Sequence, residues 1–327
     1  MNNKWIRDAL YAVAAIAALG NVASSALAAP SKAAAATPCD RNCLIAAMDQ
    51  YLAALVAHDA SRVKVAKNFR ATHDALPIKL GEGIWKTIGD INRRQYFADP
   101  VTGQVVLFAL VPVGEDNAPF MVRLKIVNGE VAESESLLAA GAGQFVAPKM
   151  LPPLDPIFDE LLPVREQSSR RTMATVPFQY ADGMLKANGD SVPWDTTCNR
   201  LENWSQTAND VIRNVAPLSC LDSMNHYSYH FAAVPMRRVV VIDVERGVTV
   251  IIAQLERRPQ PTNDPLYLAK MAARNAGRGL PSNTPIESDR LIGGEAFKIR
   301  NGKIRHIQAT FIRQAVDGPD GGWGTEE

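Results

Sequence analysis

The sequence predicts an α+β protein built from one unit used twice, and three observations predict it. Arg93-Arg94-Gln95-Tyr96-Phe97-Ala98-Asp99 returns as Arg237-Arg238-Val239-Val240-Val241-Ile242-Asp243, with Gly103 and Gly247 at the same offset of 144 residues. Lys125-Ile126-Val127-Asn128-Gly129-Glu130-Val131 returns as Lys298-Ile299-Arg300-Asn301-Gly302-Lys303-Ile304, at an offset of 173. Between the halves lies Pro152-Pro153-Leu154-Asp155-Pro156, followed by Pro163, a stretch that cannot hold a regular helix or a central strand. The larger second offset means that repeat two carries an insertion between its two aligned blocks.

Taken in order, the chain opens on a targeting signal. Lys4 and Arg7 precede a short apolar run from Ala9 to Leu19, and Ala26-Leu27-Ala28 is a small-x-small cleavage site. Residues 1–28 therefore read as a cleaved Sec-type signal peptide, with Ala29 the first mature residue. The run is short for a bilayer span and no later segment is apolar for long enough, so a periplasmic or secreted protein without a membrane segment is expected. Residues 29–38, rich in Ala, Pro, Ser and Thr, read as a disordered leader.

Repeat one is placed at 39–145. Leu44, Ala47, Met48, Tyr51, Leu52 and Leu55 follow helical spacing as far as His58-Asp59, and a shorter helix is expected over Ile84–Ile91. Strand-like runs follow at 95–98, 104–111, 120–126 and 130–138. Asn128-Gly129 turns the last hairpin, because both residues tolerate positive φ. A Pro-rich linker, 146–167, leads to repeat two at 168–316, where Tyr180–Leu185 is the counterpart of Tyr51–Leu55. The insertion, 256–293, contains several prolines and a helical piece from Leu266 to Ala276, and reads equally as a lid or as a clamp between repeats. Gly321, Gly322 and Gly324 mark 317–327 as a flexible tail.

The formal charge is +1 with no long run of either sign, so the basic face needed for nucleic acid and a polybasic membrane patch are both missing. Four cysteines allow three connectivities. In an oxidising compartment Cys39–Cys43 and Cys198–Cys220 are the preferred pairs, since each is close in sequence and lies inside one repeat. Without supporting histidine spacing these cysteines make a poor zinc site, and no metal or other cofactor is expected. There is no Gly-x-Ser-x-Gly elbow, no phosphate-cradling loop and no set of paired Cys-x-x-Cys sites.

Longer motifs carry a family resemblance. They are Cys39-Asp40-Arg41-Asn42-Cys43-Leu44, Ala57-His58-Asp59, Leu80-Gly81-Glu82-Gly83, Cys198-Asn199-Arg200-Leu201-Glu202-Asn203, Asp243-Val244-Glu245-Arg246-Gly247 and Phe297 to Ile304. With them the chain resembles a secreted bacterial and fungal family that carries the SnoaL-like, nuclear-transport-factor-2-like cone fold in tandem. Gln308 departs from that pattern, in which relatives tend to carry Glu. The resemblance implies two curved mixed or antiparallel sheets with helices, forming an internal pseudo-dimer in a monomeric chain. It also implies an apolar cavity in each cone. The wider superfamily includes isomerases, dehydratases, epoxide hydrolases, cyclases and aldol-type lyases, usually without a cofactor, and proteins that only bind.

Candidate chemistry concentrates in repeat two. In Asn199-Arg200-Leu201-Glu202-Asn203-Trp204, strand alternation puts Arg200, Glu202 and Trp204 on one face and Asn199, Leu201 and Asn203 on the other. A carboxylate beside an arginine and an aromatic wall can be positioned as a general base; a salt-bridged structural strand is the plainer account. His226-Tyr227-Ser228-Tyr229-His230 reads as helical, with His226 and His230 on one face as acid–base or binding groups. His306 shares a strand face with Gln308, as do the aligned Glu133 and Glu135, for which an exposed face is the cheaper explanation. Glu202, Arg200 and His226 are thus the catalytic candidates, and Asn199, Asn203, Trp204, Tyr229, His230 and His306 the binding candidates. The expectation is a cofactor-independent lyase or isomerase acting on a small apolar or aromatic molecule, with a non-catalytic binding protein as the alternative. It requires Glu202, His226, Tyr229 and His306 to converge on one cavity.

Overall fold

In the computed structural model, residues 39–151, 153–210 and 217–324 are described. The signal peptide, the whole leader and the last three residues of the tail lie outside them. Among these residues no helix is long and apolar enough to cross a membrane.

Repeat one begins with α1 (Arg41–Val56), whose N-cap Asp40 accepts from the Cys43 amide at 2.8 Å. It continues through β1 (Val65–His73), β2 (Leu76–Pro77), a 3-10 turn at Gly83–Lys86, β3 (Asn92–Asp99), β4 (Gln104–Val113), β5 (Asp116–Val127) and β6 (Glu130–Leu138). Repeat two runs through α2 (Arg170–Leu185), β7 (Trp194–Glu202), β8 (Ser205–Gln206), α3 (Cys220–Tyr227), β9 (Phe231–Asp243), β10 (Val248–Arg257), α4 (Pro265–Ala276), β11 (Asp289–Arg300) and β12 (Lys303–Gln314). The second helix expected in repeat one is only the 3-10 turn.

The strand orders are β2-β1-β6-β5-β4-β3 and β8-β7-β12-β11-β10-β9, the same arrangement twice. In each sheet the first long strand runs parallel to the last, and the other neighbours are antiparallel. Asn128-Gly129 and Asn301-Gly302 make the two hairpin turns with φ of 52°, 76°, 52° and 74°. One bulge also recurs, between Lys125 and Ile126 and between Lys298 and Ile299. It packs against Gly103 and Gly247, where a Cβ would lie 2.5 and 2.3 Å from the Ile126 and Ile299 carbonyl oxygens. Bulges at equivalent places bend both sheets alike and open each into a cone. The architecture is a tandem α+β cone fold.

The two sheets meet face to face. Phe97, Val106, Phe108, Leu110 and Met121 of the first pack against Val240, Val250, Ile252, Ile292 and Ile312 of the second. The helices cover the outer faces. Reciprocal ion pairs mark the pseudo-two-fold relation: Arg170, at the start of α2, reaches Asp99 at 2.7 Å, and Arg41, at the start of α1, reaches Asp243 at 3.2 Å. Each arginine of one repeat thus holds the end of the other's strand, the self-complementary pattern of an isologous dimer. The disulfides are Cys39–Cys43 and Cys198–Cys220, each within one repeat. The described part of the tail, through residue 324, bridges the repeats: the Gly318 and Asp320 carbonyls accept from Arg290 at 3.0 Å and Gln254 at 3.3 Å, while Trp323 is buried, stacks on Arg70 at 3.9 Å and donates to Thr72 Oγ1 at 3.0 Å.

Candidate functional site

The helix-facing side of the second cone encloses a cavity of about 350 Å³. That volume suits a small organic molecule. Its floor follows from strand register. Glu202 on β7 stands opposite Ala309 on β12, and Ala309 stands opposite Glu295 on β11. Residues in register across neighbouring strands share a face, so both carboxyl groups enter the cavity. The small Ala309 side chain between them leaves the room.

Arg200, two residues before Glu202, holds that carboxylate at 3.2 Å. Its guanidinium is fixed in turn by Thr207 Oγ1 at 2.9 Å and Ser223 Oγ at 3.2 Å, and it donates to the Tyr180 hydroxyl. The Cys198–Cys220 bridge ties β7 to α3 and so holds Ser223 near Arg200. Burial works against the charge on Arg200, but Glu202 and Tyr180 outweigh it and raise the guanidinium's pKa. Glu295 is 2% exposed. Burial first and the Glu202 charge second push its carboxyl up to about 8, against the pull of Arg200. Tyr180 is raised by burial and then by Glu295. The site therefore holds a neutral acid and a carboxylate, with an arginine beside the latter.

The insertion covers the mouth. It occupies 258–288, where repeat one has only the turn Gly114-Glu115 between β4 and β5. Lys270, Met271, Arg274, Arg278 and Ile286 of this segment line the cavity, which makes it a lid. Asp264 caps α4 by accepting from the Leu266 and Tyr267 amides at 2.9 Å, and accepts from His226 Nδ1 at 2.7 Å. Lys270 Nζ lies 3.7 Å from the centroid of the Tyr227 ring, and burial followed by Arg200 lowers its pKa to about 8. His230 is lowered to about 3 by burial and then by Arg257, so it is a neutral ring at the wall. Phe145 and Val146, from the end of repeat one and the linker, complete the rim.

Of the residues expected from the sequence, Arg200, Glu202, Asn203 and His230 line this cavity. Asn203 also accepts from the Phe311 amide at 2.8 Å, which locks the β7–β8 turn. The other expected residues go elsewhere. His226 fastens the lid helix to α3 through Asp264. Tyr229 packs edge-on to Tyr267 at 5.8 Å. His306 is buried under the linker, edge-on to Phe158 at 5.2 Å and 3.5 Å from Asp155. Asn199 stands opposite His306 in register. Trp204 leaves the strand alternation because Asn203 and Trp204 both turn left-handed (φ 48° and 65°), which carries the indole into the core between the sheets. Convergence of Glu202, His226, Tyr229 and His306 does not occur: Glu202 alone of the four is at the cavity. The pair of histidines is also not a helical i, i+4 pair, since α3 ends at Tyr227.

Glu295, Lys270, Tyr180 and Arg274 are among the lining residues that the sequence did not single out. Glu295 had a signal: at the offset of 173 it replaces Val122, placing a carboxyl on an otherwise apolar row of Leu291, Phe297 and Ile299. Glu133 and Glu135 serve structure, both bound by the buried Arg123, at 2.8 and 3.0 Å. Among the described residues, no three His, Cys, Asp or Glu side chains cluster closely enough to hold a metal ion.

A family model described as a domain of unknown function (DUF8021) matches residues 37–138 and 166–311, one segment for each repeat. No curated protein matches the sequence. Similar solved structures each overlap about one repeat. An NTF2-like protein of unknown function from Burkholderia xenovorans is 13% identical, covering 32% of this chain and 88% of that one, with a TM-score of 0.25. An NTF2-like protein from Cytophaga hutchinsonii is 10% identical over 30% of this chain and 98% of that one, at 0.23. An LEH-like epoxide hydrolase from M. tuberculosis is 17% identical over 29% of this chain and 81% of that one, at 0.22. At these scores the likenesses say nothing of the chemistry in the cavity.

Proposed function

The chain belongs to the DUF8021 family, and we propose that its second cone is the active site of a lyase or isomerase that uses general acid–base chemistry on a small molecule with an apolar or aromatic body. The observation that supports this most is the row Glu202–Ala309–Glu295 with Arg200 beside it. Glu202, its side chain 37% exposed, is the group that removes a proton from bound substrate. Glu295, protonated near neutral pH, delivers one to a developing oxyanion or a leaving oxygen. Arg200 and the Tyr180 hydroxyl offset the charge that forms between them. No group outside the chain is needed for that exchange of protons. Two disulfides suit an oxidising compartment, and with the signal-like N-terminus they support a secreted or periplasmic location.

Product analysis after incubation with a panel of aromatic and terpenoid carbonyl compounds and alcohols tests the reading. Glu202→Gln and Glu295→Gln should each lower turnover by about 10²–10⁴-fold while the fold is kept. Turnover should also fall as pH rises past about 8, where Glu295 loses its proton. A product formed equally fast by both variants would remove the assignment. Ligand binding with no product from any compound would favour the second reading, a binding protein, for which the lid formed by 258–288 is the supporting observation.

A further inference from the structure

We propose that this cavity takes a small organic acid, with the carboxylate seated against Lys270 and Arg274 of the lid helix and the apolar body among Phe145, Phe231, Met271 and Phe311. The inference rests on the acid–base reading of the same cavity and adds the class of substrate.

The case is one of uncompensated charge. Six cations line the cavity: Arg200, Arg257, Lys270, Arg274, Arg278 and Arg313. The carboxyl groups there are Glu202, Glu287, Asp289 and Glu295. Arg200 is matched by Glu202, and Asp289 serves both Arg257 and Arg313, the latter at 3.0 Å. Glu295 carries its proton and adds no negative charge near neutral pH. Lys270, Arg274 and Arg278 are left with Glu287, which lies on the exposed rim. Among the described residues none of these three cations has a carboxylate at ion-pair distance. Arg274 spends one donor on Asn275 Oδ1 at 2.9 Å, and the Lys270 ammonium rests on the Tyr227 ring.

Lys270 feels Glu202, and Arg274 feels Glu287, only beyond ion-pair distance. A half-buried ammonium with no carboxylate in direct contact is costly, and a ligand that brings one regains part of that cost. The geometry sets the ligand's polarity as well. The three cations without a direct ion pair come from the lid, while the sheet side carries Leu255, Leu291, Phe231 and Phe311 beside charges that are already paired. A molecule with a charged end and an apolar end matches that division, and the cavity volume admits a one-ring acid. The free edges of the cation pair suit a planar carboxylate, because the Arg274 guanidinium can meet both oxygens at once.

The test is calorimetric titration of the full disulfide-bonded protein at pH 7 and low salt. The probes are phenylacetate, cyclohexanecarboxylate and hexanoate, each against its own amide, with phenyl phosphate as a further anion. At least one acid should bind about 10- to 100-fold more tightly than its amide. Lys270→Gln should erase that preference and Lys270→Arg should restore most of it. Arg278→Gln, at the exposed rim, should cost only a few-fold, and added salt should abolish even that. A melting temperature within a few degrees of wild type certifies each variant as folded. The inference is overturned if no acid binds more tightly than its amide, if the preference survives in a Lys270→Gln/Arg274→Gln double variant, or if phenyl phosphate outbinds every acid. Failure here is separable from failure of the acid–base reading. Acids that bind through Lys270 and are never turned over leave this inference standing and remove the other. Turnover of neutral compounds that depends on Glu202 and Glu295 does the reverse.

Discussion

At the same three register positions the two repeats carry opposite chemistry. Repeat two presents Glu202, Ala309 and Glu295, and repeat one presents His73, Ser136 and Val122. Ala71 stands where repeat two has Arg200. The two tyrosines, Tyr51 and Tyr180, occupy equivalent places on α1 and α2, yet they are used differently. Tyr51 donates to or accepts from Ser134 at 2.7 Å and packs edge-on against Trp85 at 5.2 Å, inside a core of Leu44, Met48, Leu52 and Leu55. Tyr180 instead accepts from Arg200 at the floor of a cavity. Repeat one closes its sheet with a two-residue turn, and repeat two replaces that turn with a lid. The backbone plan tolerates either interior, because bulge, turn and sheet-to-sheet contact are all set outside the cone. One repeat is then free to spend its interior on stability, and the other on polar groups.

The strongest challenge to this contrast is to move the acid across it. Val122→Glu puts a carboxyl into the filled interior of repeat one, where Ala71 supplies no guanidinium and Val122 is fully buried. A carboxyl buried there has no arginine to pair with and only the Ser136 hydroxyl, already bound to His73, opposite it, so the variant should lose about 3–5 kcal/mol of stability. Urea unfolding that showed a loss below about 1 kcal/mol would mean that the interior has room for the carboxyl and that Ser136 and His73 compensate it.

A smaller effect is expected from the acid already present. Folded, Glu295 keeps its proton up to about pH 8, whereas an unfolded glutamate releases it near the ordinary 4.5. Between those values the folded chain binds the proton and the unfolded chain does not, so stability falls as pH rises through the window. Glu295→Gln removes the dependence. The variant should match wild type near pH 4 and exceed it by up to a few kcal/mol above pH 8. A stability gap that did not grow with pH would place the proton elsewhere.

How far this was readable depends on whether the cause is local. The hairpins were legible, because Asn128-Gly129 and Asn301-Gly302 carry their turn geometry in two residues. So was the pairing of the cysteines, which needs only proximity in sequence. Arg200 and Glu202 were legible as a unit through strand alternation, which holds up to Glu202. It fails one step later, where two left-handed residues send Trp204 into the opposite core. His230 looked helical because nothing local marks the end of α3 at Tyr227. Lys270 and Arg274 were not legible at all: which face of a lid helix meets the cavity is decided by docking, not by periodicity. Glu295 lay between these cases, visible only as a substitution against Val122 once the repeats are aligned.

The smallest expected effect concerns the lid, an element that repeat one lacks. His226 does not reach the cavity; its Nδ1 instead donates to the carboxylate that caps α4, at 2.7 Å. Asp264 is held low by hydrogen bonds from His226 and from the Tyr267 and Leu266 amides, which prevail over its desolvation. Removing one donor leaves the two amides in place, so the cap weakens without being lost. His226→Ala should therefore cost about 0.5–1.5 kcal/mol, a shift of a few degrees in melting temperature. The informative readout is local. Amide hydrogen exchange should speed up in 265–276 and leave β7, β11 and all of repeat one unchanged. If exchange rose equally in both repeats, His226 would be supporting the whole fold, and the lid would not be the separable addition that distinguishes repeat two.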